Sequence, residues 1–428
     1  MPENQPLSLR RNFSWTFIGN TVYAGCQWGM LVVLAKLGSP EMVGQFTLGL
    51  AVTAPVMMFT NLQLRAVQAT DAKKQYVFRD YLGLRLLGTT LALIIIATIT
   101  FISGYQWETS LIILLVGLAK GFESISDVYY GLIQQHERMD RMAISLMIKG
   151  SLSLLLLGLG VYLSDHLVWG VLGLVLAWAA VLVVYDIPTG AYILKRLSSD
   201  RLALRPRWHF KTLSKLVWLA LPMGFVMMLI SLNTNIPKYF IDSYVGQREL
   251  GVFAAISYLM VAGSMVVNAL GQSASPRLAK YYVAGNGAAF RRLLLHLVGI
   301  ALLMGGVGVF VVLVAGRQIL TIVYRPEYAQ YTKVFVWLMV AAGIDYISSF
   351  LGYGMTAARY FRIQMPLFAS VTVTSAVVCL WLIPVWGLQG AAIALIVAAI
   401  VQAIFSSGVI IYAIHKLNTP LPQPQNLP

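Results

Sequence analysis

Twelve stretches of roughly 20 apolar residues take up most of this chain, at about 13–37, 42–64, 82–103, 108–134, 143–163, 167–194, 215–241, 249–275, 293–315, 334–356, 363–383 and 389–414. Each is long enough to cross the hydrocarbon core of a bilayer as a helix. The second and eighth are the most polar. Composition makes the same point: 58% of residues are hydrophobic, 11% are charged, and mean hydropathy is +0.75. A soluble protein carries about 25% charged residues, so this chain lacks the polar groups to cover itself in water. The fold class expected is an all-α polytopic membrane protein of about 12 transmembrane helices.

The charge excess is +15, from 31 Lys+Arg against 16 Asp+Glu. A nucleic-acid surface needs its basic residues gathered on one solvated face. Here they form short clusters between apolar runs, which marks membrane sidedness and excludes nucleic acid as the expected partner. An even number of spans places both termini on one side. The loops of that side, together with the adjoining span ends, hold 23 of the 31, among them Arg65, Arg79, Arg85, Arg138 and the run from Lys195 to Lys215. The other side holds Lys36, Arg248, Arg317, Arg325 and Lys333, and three lysines (Lys120, Lys149, Lys238) lie within spans. The positive-inside rule therefore puts both termini in the cytoplasm.

The N-terminal MPENQPLSLRR leads into a first span carrying Asn20, Tyr23 and Gln27, which reads as a retained helix rather than a signal peptide. Cys26 and Cys379 lie in apolar segments without metal or redox spacing. The longest loop, about 195–215, divides the chain into two sets of six: an N-lobe over 1–200 and a C-lobe over 201–417. A Pro-rich tail, 418–428, has the composition of a disordered end. Two echoes relate the halves. GSPEMVGQF at 38–46 and GQRELGVF at 246–253 each hold an acidic residue ahead of an aliphatic-Gly-x-Phe turn leading into the next span. Ser126, Tyr130, Gly131 and Arg138 are matched by Ser349, Tyr353, Gly354 and Arg359. Such a parallel duplication points to a transporter with its substrate path between the halves.

No phosphate-cradling Gly-rich loop, His-rich metal spacing or nucleophile elbow is present, so ATP-driven transport and enzyme chemistry are not expected. What remains are polar groups inside spans, which are costly in lipid and so point to function. At 100° per residue, Lys120, Glu123, Asp127, Gln134 and Arg138 share one face of the fourth span. They line a water-filled cavity or, on the plainer reading, form local i,i+3 and i,i+4 ion pairs. In the seventh span, Ser231, Asn235, Lys238 and Asp242 share a face, and Pro222, Gly224 and Pro237 are expected to break the helix. Lys238 either faces the cavity or snorkels to the headgroups. Asn12, Thr16, Tyr23 and Gln27 stripe the first span, and Ser257, Ser264, Asn268 and Gln272 the eighth. Singly, such groups glue helices together. As a set they suit a hydrophilic, sugar-tolerant cavity. Asp345, in the middle of the tenth span, is the candidate for proton coupling, against a purely helix-locking role. Asp186 reads as a helix-locking carboxyl and Lys149 as a snorkelling side chain.

The segment LPMGFVMMLISLNTNIPKYFIDSYVGQRELGVFAAISYLMVAG resembles the oligosaccharide flippases, the polysaccharide-transporter (Wzx-type) branch of the MOP superfamily that also holds the MATE exporters and lipid II flippases. The likeness rests on Asn235, Pro237, Lys238, Tyr239, Ile241, Gly246, Leu250, Gly251, Phe253, Ala254 and Ala255, with VGQF and YDIP similar in kind. It implies a two-lobed, twelve-helix fold with a cationic cavity that turns an undecaprenyl-pyrophosphate-linked oligosaccharide across the bacterial cytoplasmic (inner) membrane. In that setting Lys120 and Lys238 are the anion-holding candidates, with Asn235, Gln27, Asn268 and Gln272 as further cavity groups. Glu123, Asp127 and Asp345 are the ion-pair and coupling candidates. No cofactor is expected beyond a coupling H+ or Na+. Besides the lipid-linked oligosaccharide and membrane lipid, a polysaccharide polymerase and chain-length proteins are candidate partners. The first span lacks the arginine cluster of lipid II flippases beyond Arg10 and Arg11, which argues against lipid II as substrate. Two other readings stand: a MATE-like cation-coupled drug exporter, and a non-transporting membrane scaffold for a polysaccharide synthase.

Overall fold

The computed structural model describes residues 7–71, 75–197 and 205–418, and among these all regular structure is helical. The helices are α1 (Leu9–Leu37), α2 (Pro40–Asn61), α3 (Leu64–Thr70), α4 (Phe78–Ile102), α5 (Trp107–Gln135), α6 (Met139–Ser164), α7 (Leu167–Val181) and α8 (Ile187–Leu197). They continue with α9 (Phe210–Tyr244), α10 (Gln247–Tyr258), α11 (Val261–Val283), α12 (Gly287–Val323), α13 (Thr332–Ala357) and α14 (Phe361–Asn418). Every expected apolar stretch falls on one of these helices or on a pair of consecutive ones. Nine helical runs among the described residues are long and apolar enough to span a membrane, ten if α10 and α11 form one bent span. α5, which carries the polar stripe, is not among them. The 58-residue α14 bends at Gly387, whose φ of 54° favours glycine, and it carries the last two expected stretches. The tail beyond Asn418 lies outside the described residues.

Local chemistry sets the helix starts. Ser39 caps α2 by accepting from the Met42 N–H at 3.4 Å, with Pro40 at the first helical position. Asn286 caps α12 by accepting from the Ala289 N–H at 2.9 Å. The breaks do not fall where proline predicts them. α9 runs unbroken for 35 residues through Pro222 and Pro237. Thr234 and Asn235 donate to the Ser231 carbonyl at 2.9 and 2.8 Å, stitching the turn ahead of Pro237. The breaks lie instead in the two most polar stretches. Leu62 and Gln63, both at φ 51°, separate α2 from α3. α10 and α11 meet at 41° across Leu259–Met260, where the Met260 carbonyl accepts from the Ser264 N–H at 3.2 Å and from the Tyr346 hydroxyl at 3.0 Å. The segment Leu182–Asp186 between α7 and α8 is a π-helical turn.

The chain divides into two compact units. Unit 1 runs to Asn235 and includes Gln247–Gly251; unit 2 comprises Ile236–Gly246 and the chain from Val252 onward. Within unit 1, α1 packs along α6 and α5 packs against α2, α4 and α7. Within unit 2, α13 packs between α12 and α14. Long runs of outward apolar side chains cover both, as expected of surfaces dissolved in lipid. Phe101 is 77% exposed and Leu303 68%.

The first sequence echo has a physical meaning inside unit 1. Gly44 on α2 abuts the Gln247 carbonyl, and Gly251 on α10 abuts the Pro40 carbonyl. When Gly44 is aligned with Gly251, Pro40 aligns with Gln247, so the contact is reciprocal. Glu41 and Arg248, also equivalent, form an ion pair at 3.0 Å. Neither glycine has room for a Cβ, so the repeat's glycine is there for close backbone approach. The motif sits in the first turns of the helices rather than in a turn ahead of them.

Candidate functional site

Unit 1 encloses a cavity of about 620 Å³ whose walls come from α1, α2, α3, α5 and α6 and the Gln63 break. α5 contributes the polar stripe: Lys120, Glu123, Asp127 and Gln134 all line it, one helical turn or two apart. The remaining member of the expected stripe does not. α5 ends at Gln135, and Arg138 stands just ahead of α6 instead, pairing with Asp140 at 2.8 Å.

The lining groups are paired. Lys120 Nζ lies 2.8 Å from Glu123 Oε2 and 4.9 Å from the Trp178 ring centroid. Tyr23 of α1 donates to Glu123 Oε1 at 2.7 Å. Asp127 is shared between two arginines: Arg85 Nη2 reaches Oδ2 at 3.0 Å and Arg65 Nη1 reaches Oδ1 at 3.5 Å. Arg85 also donates to Asn61 Oδ1, which accepts from Ser124 at 2.9 Å as well. Arg65 further donates to Gln134 Oε1 at 3.1 Å. The cluster thus sets three cations, Arg65, Arg85 and Lys120, against two carboxylates, leaving a positive surplus. Arg85 is wholly buried, whereas Arg65 is 32% exposed, with its guanidinium on the cavity wall. The left-handed pair Leu62 and Gln63 turns the chain so that α3 brings Arg65 there. Backbone in that region is uncommon for non-glycine residues and often marks a functional constraint.

Arg65 and Arg85 were counted among the terminal-side charges that set topology; both are helical and belong to this site. Arg85 could have been found, since it lies inside the apolar stretch 82–103. Arg65 had no local signal, because the chain break that redirects it has no Gly or Pro. Lys149 is also reassigned. It does not snorkel: it is fully buried 3.9 Å from Asp186, with its Nζ 5.1 Å from the Tyr130 ring centroid. Asp186 accepts from Ser145 at 2.6 Å, and Ser145 shares a hydrogen bond with Tyr130 at 2.8 Å. Both groups are shut off from water, so losing either one would leave the other buried without a counter-charge.

The other candidates stand elsewhere. Gln27 lies one turn from Tyr23 on α1 and outside the cavity lining. Asn235 is buried on α9, its amide on the Ser231 carbonyl. Lys238 is half-buried on the part of α9 assigned to unit 2. Asn268 and Gln272 are exposed on α11, and Tyr353 donates to Asn268 Oδ1 at 3.1 Å. Asp345 is half-buried in α13.

The family model for polysaccharide biosynthesis proteins (Polysacc_synt) matches residues 9–282. The chain is 28% identical over 396 residues to the capsular polysaccharide biosynthesis protein CapF of Staphylococcus aureus, covering 92% of this chain and 97% of that protein. The fold is similar to an inward-facing multidrug MATE transporter of the MOP superfamily, with a TM-score of 0.70, 13% identity, and coverage of 94% of this chain and 100% of that one. It is also similar to the lipid II flippase MurJ in an inward closed conformation, with a TM-score of 0.69, 13% identity and coverage of 94% and 89%. At these identities the structures speak for the fold alone. With more than half its length matched by the family model and an all-α, multi-pass architecture of the MATE/MOP kind, this chain belongs to the polysaccharide biosynthesis protein family.

Proposed function

We propose that this protein is a flippase that moves a lipid-linked oligosaccharide repeat unit, carried on undecaprenyl pyrophosphate, across the bacterial cytoplasmic membrane for surface polysaccharide synthesis. The observation that carries the reading is the polar cavity of unit 1 inside an otherwise apolar protein: Arg65 and Lys120 line it with Glu123 and Asp127, and Arg85, buried behind Asp127, brings the cluster to three cations against two carboxylates. A pyrophosphate cannot cross hydrocarbon unaided, and guanidinium and ammonium groups in a low-dielectric cavity bind phosphate oxygens strongly. The capsule-related name of the CapF relative supports the same substrate class. Each carboxylate in the cavity already has a cationic partner, which disfavours the drug-exporter reading, since a cationic drug needs an unpaired acid.

In this reading the chain crosses the membrane twelve times with both termini cytoplasmic, and lobes over 1–200 and 201–417 alternate access around the head group while the lipid tail stays in the bilayer. Arg65, Lys120 and Lys238 hold the anion, with Asn235, Gln27, Asn268 and Gln272 meeting the sugar. Asp345 couples the cycle to a proton. A polymerase and chain-length proteins take the product. The test is complementation of a flippase-deficient strain with Arg65→Ala, Lys120→Ala and Lys238→Ala, scored as surface polysaccharide against membrane-inserted protein. Each lost charge-assisted contact weakens binding about 10- to 100-fold. Full export by all three variants overturns the assignment. In proteoliposomes, Asp345→Asn is expected to lose dependence on the proton gradient.

A further inference from the structure

One end of unit 2 is built from basic and tyrosine side chains with no acid among them. The end of α11, the start of α12, the turn from α13 to α14 and the end of α14 meet there through a chain of rings. Tyr282 packs edge-on against Phe290 at 5.8 Å and Tyr360 at 6.5 Å, and Tyr360 packs against Tyr412 at 6.3 Å. Around this cluster stand Arg277, Lys280, Arg291, Arg292, Arg359 and Arg362, all exposed. Tyr412 is itself 60% exposed. Arg359 occupies the tip of its turn at φ 62°.

From Val252 to the end of the chain the only acids are Glu327 and Asp345. Glu327 follows α12 at its other end, beside Arg325 at 3.9 Å, and Asp345 is mid-helix in α13. In unit 1 the comparable turns are also basic but include acids: Arg138 pairs with Asp140, and Arg207 approaches Asp80 at 3.9 Å. Orientation in the membrane does not explain the difference. It depends on Lys and Arg, with Asp and Glu contributing little, so acids are tolerated on such loops. A surface from which every carboxylate is excluded is suited to an anion that those carboxylates would repel.

We propose that this rim binds the anionic phosphates of membrane phospholipid headgroups. The guanidinium and ammonium groups take the phosphate oxygens, and the tyrosines seat at headgroup level, where their amphipathic rings are favoured. The occupant is the bulk anionic phospholipid of the leaflet, so the proposal does not rest on the flippase reading.

The test uses the full-length protein in phosphatidylcholine bilayers with spin-labelled phosphatidylglycerol, reading the protein-associated fraction of label. Wild type is expected to prefer phosphatidylglycerol over spin-labelled phosphatidylcholine, with the preference fading at high salt. Each basic group near a charged headgroup contributes about fivefold. Arg291→Gln with Arg292→Gln, Arg359→Gln and Arg362→Gln is expected to bring the preference down by fivefold or more. The four Lys replacements at the same positions should retain it. Arg317→Gln with Lys333→Gln, at the other end of the same unit, should change it little. A wild type without preference or without salt dependence overturns the proposal, as does a quadruple Gln variant that keeps the preference. Displacement of the label by a polyprenyl pyrophosphate but not by unlabelled phosphatidylglycerol also overturns it, in favour of a substrate dock.

Discussion

Asp127 is the residue on which the cavity cluster turns, because it neutralises an arginine that has no access to water. Arg85 is wholly buried, and Asp127 is its ion-pair partner at 3.0 Å. Removing one partner of a buried pair leaves an uncompensated charge and costs about 3–5 kcal/mol. Asp127→Asn is therefore expected to lower the midpoint of thermal unfolding in detergent, whereas Arg65→Ala, which removes the exposed partner, should leave it nearly unchanged. The second buried pair, Lys149 and Asp186, permits a cleaner version of the same argument. Lys149→Met alone should destabilise by a similar amount, and adding Asp186→Leu should recover most of the loss. A double variant no more stable than the single one contradicts a simple buried pair. The stripe Lys120, Glu123 and Asp127 was legible from 100° geometry alone. Arg65, Arg85 and Lys149 were misread because a basic residue near a span end looks the same in sequence whether it faces headgroups or a cavity.

At the scale of elements, helix existence was legible throughout and helix breaking was not. Length and apolarity suffice for a helix in lipid, where every backbone group must be satisfied within the segment. Breaks depend on what a neighbour offers. Pro222 and Pro237 leave α9 continuous, while Leu62–Gln63 and Leu259–Met260 break without any proline. The Tyr346 hydroxyl that accommodates the second break comes from α13, far along the chain. The reciprocal contact of α2 with α10 yields a sharp expectation. Because Gly44 meets backbone rather than a flexible side chain, Gly44→Leu cannot be absorbed by a rotamer change. Overpacking of that kind costs about 1–3 kcal/mol or more. Gly44→Leu and Gly251→Leu should each lower thermal stability by similar amounts, whereas Gly25→Leu, where a Cβ meets nothing within 4 Å, should not. Equal tolerance at all three positions argues against the close crossing.

For the whole molecule, the excess of Lys and Arg remains the main evidence on sidedness. Taking Arg65 and Arg85 out of the loop inventory lowers the terminal-side total but leaves its majority intact. Reporter fusions at both ends, alkaline phosphatase against green fluorescent protein, are expected to show both termini in the cytoplasm. Phosphatase activity at one end alone contradicts an even number of spans, and activity at both ends contradicts the cytoplasmic orientation. Composition and periodicity by themselves determined that the chain lives in lipid, that it is helical, and that α5 carries a polar face. Those properties depend on solvent and on neighbours three or four residues away. Tertiary structure alone decided which charges meet: that Arg85 and Arg65 share Asp127, that Tyr23 reaches Glu123, and that Lys149 turns inward to Asp186. Such pairings join residues up to 100 positions apart, and no local pattern encodes which distant helix supplies the partner.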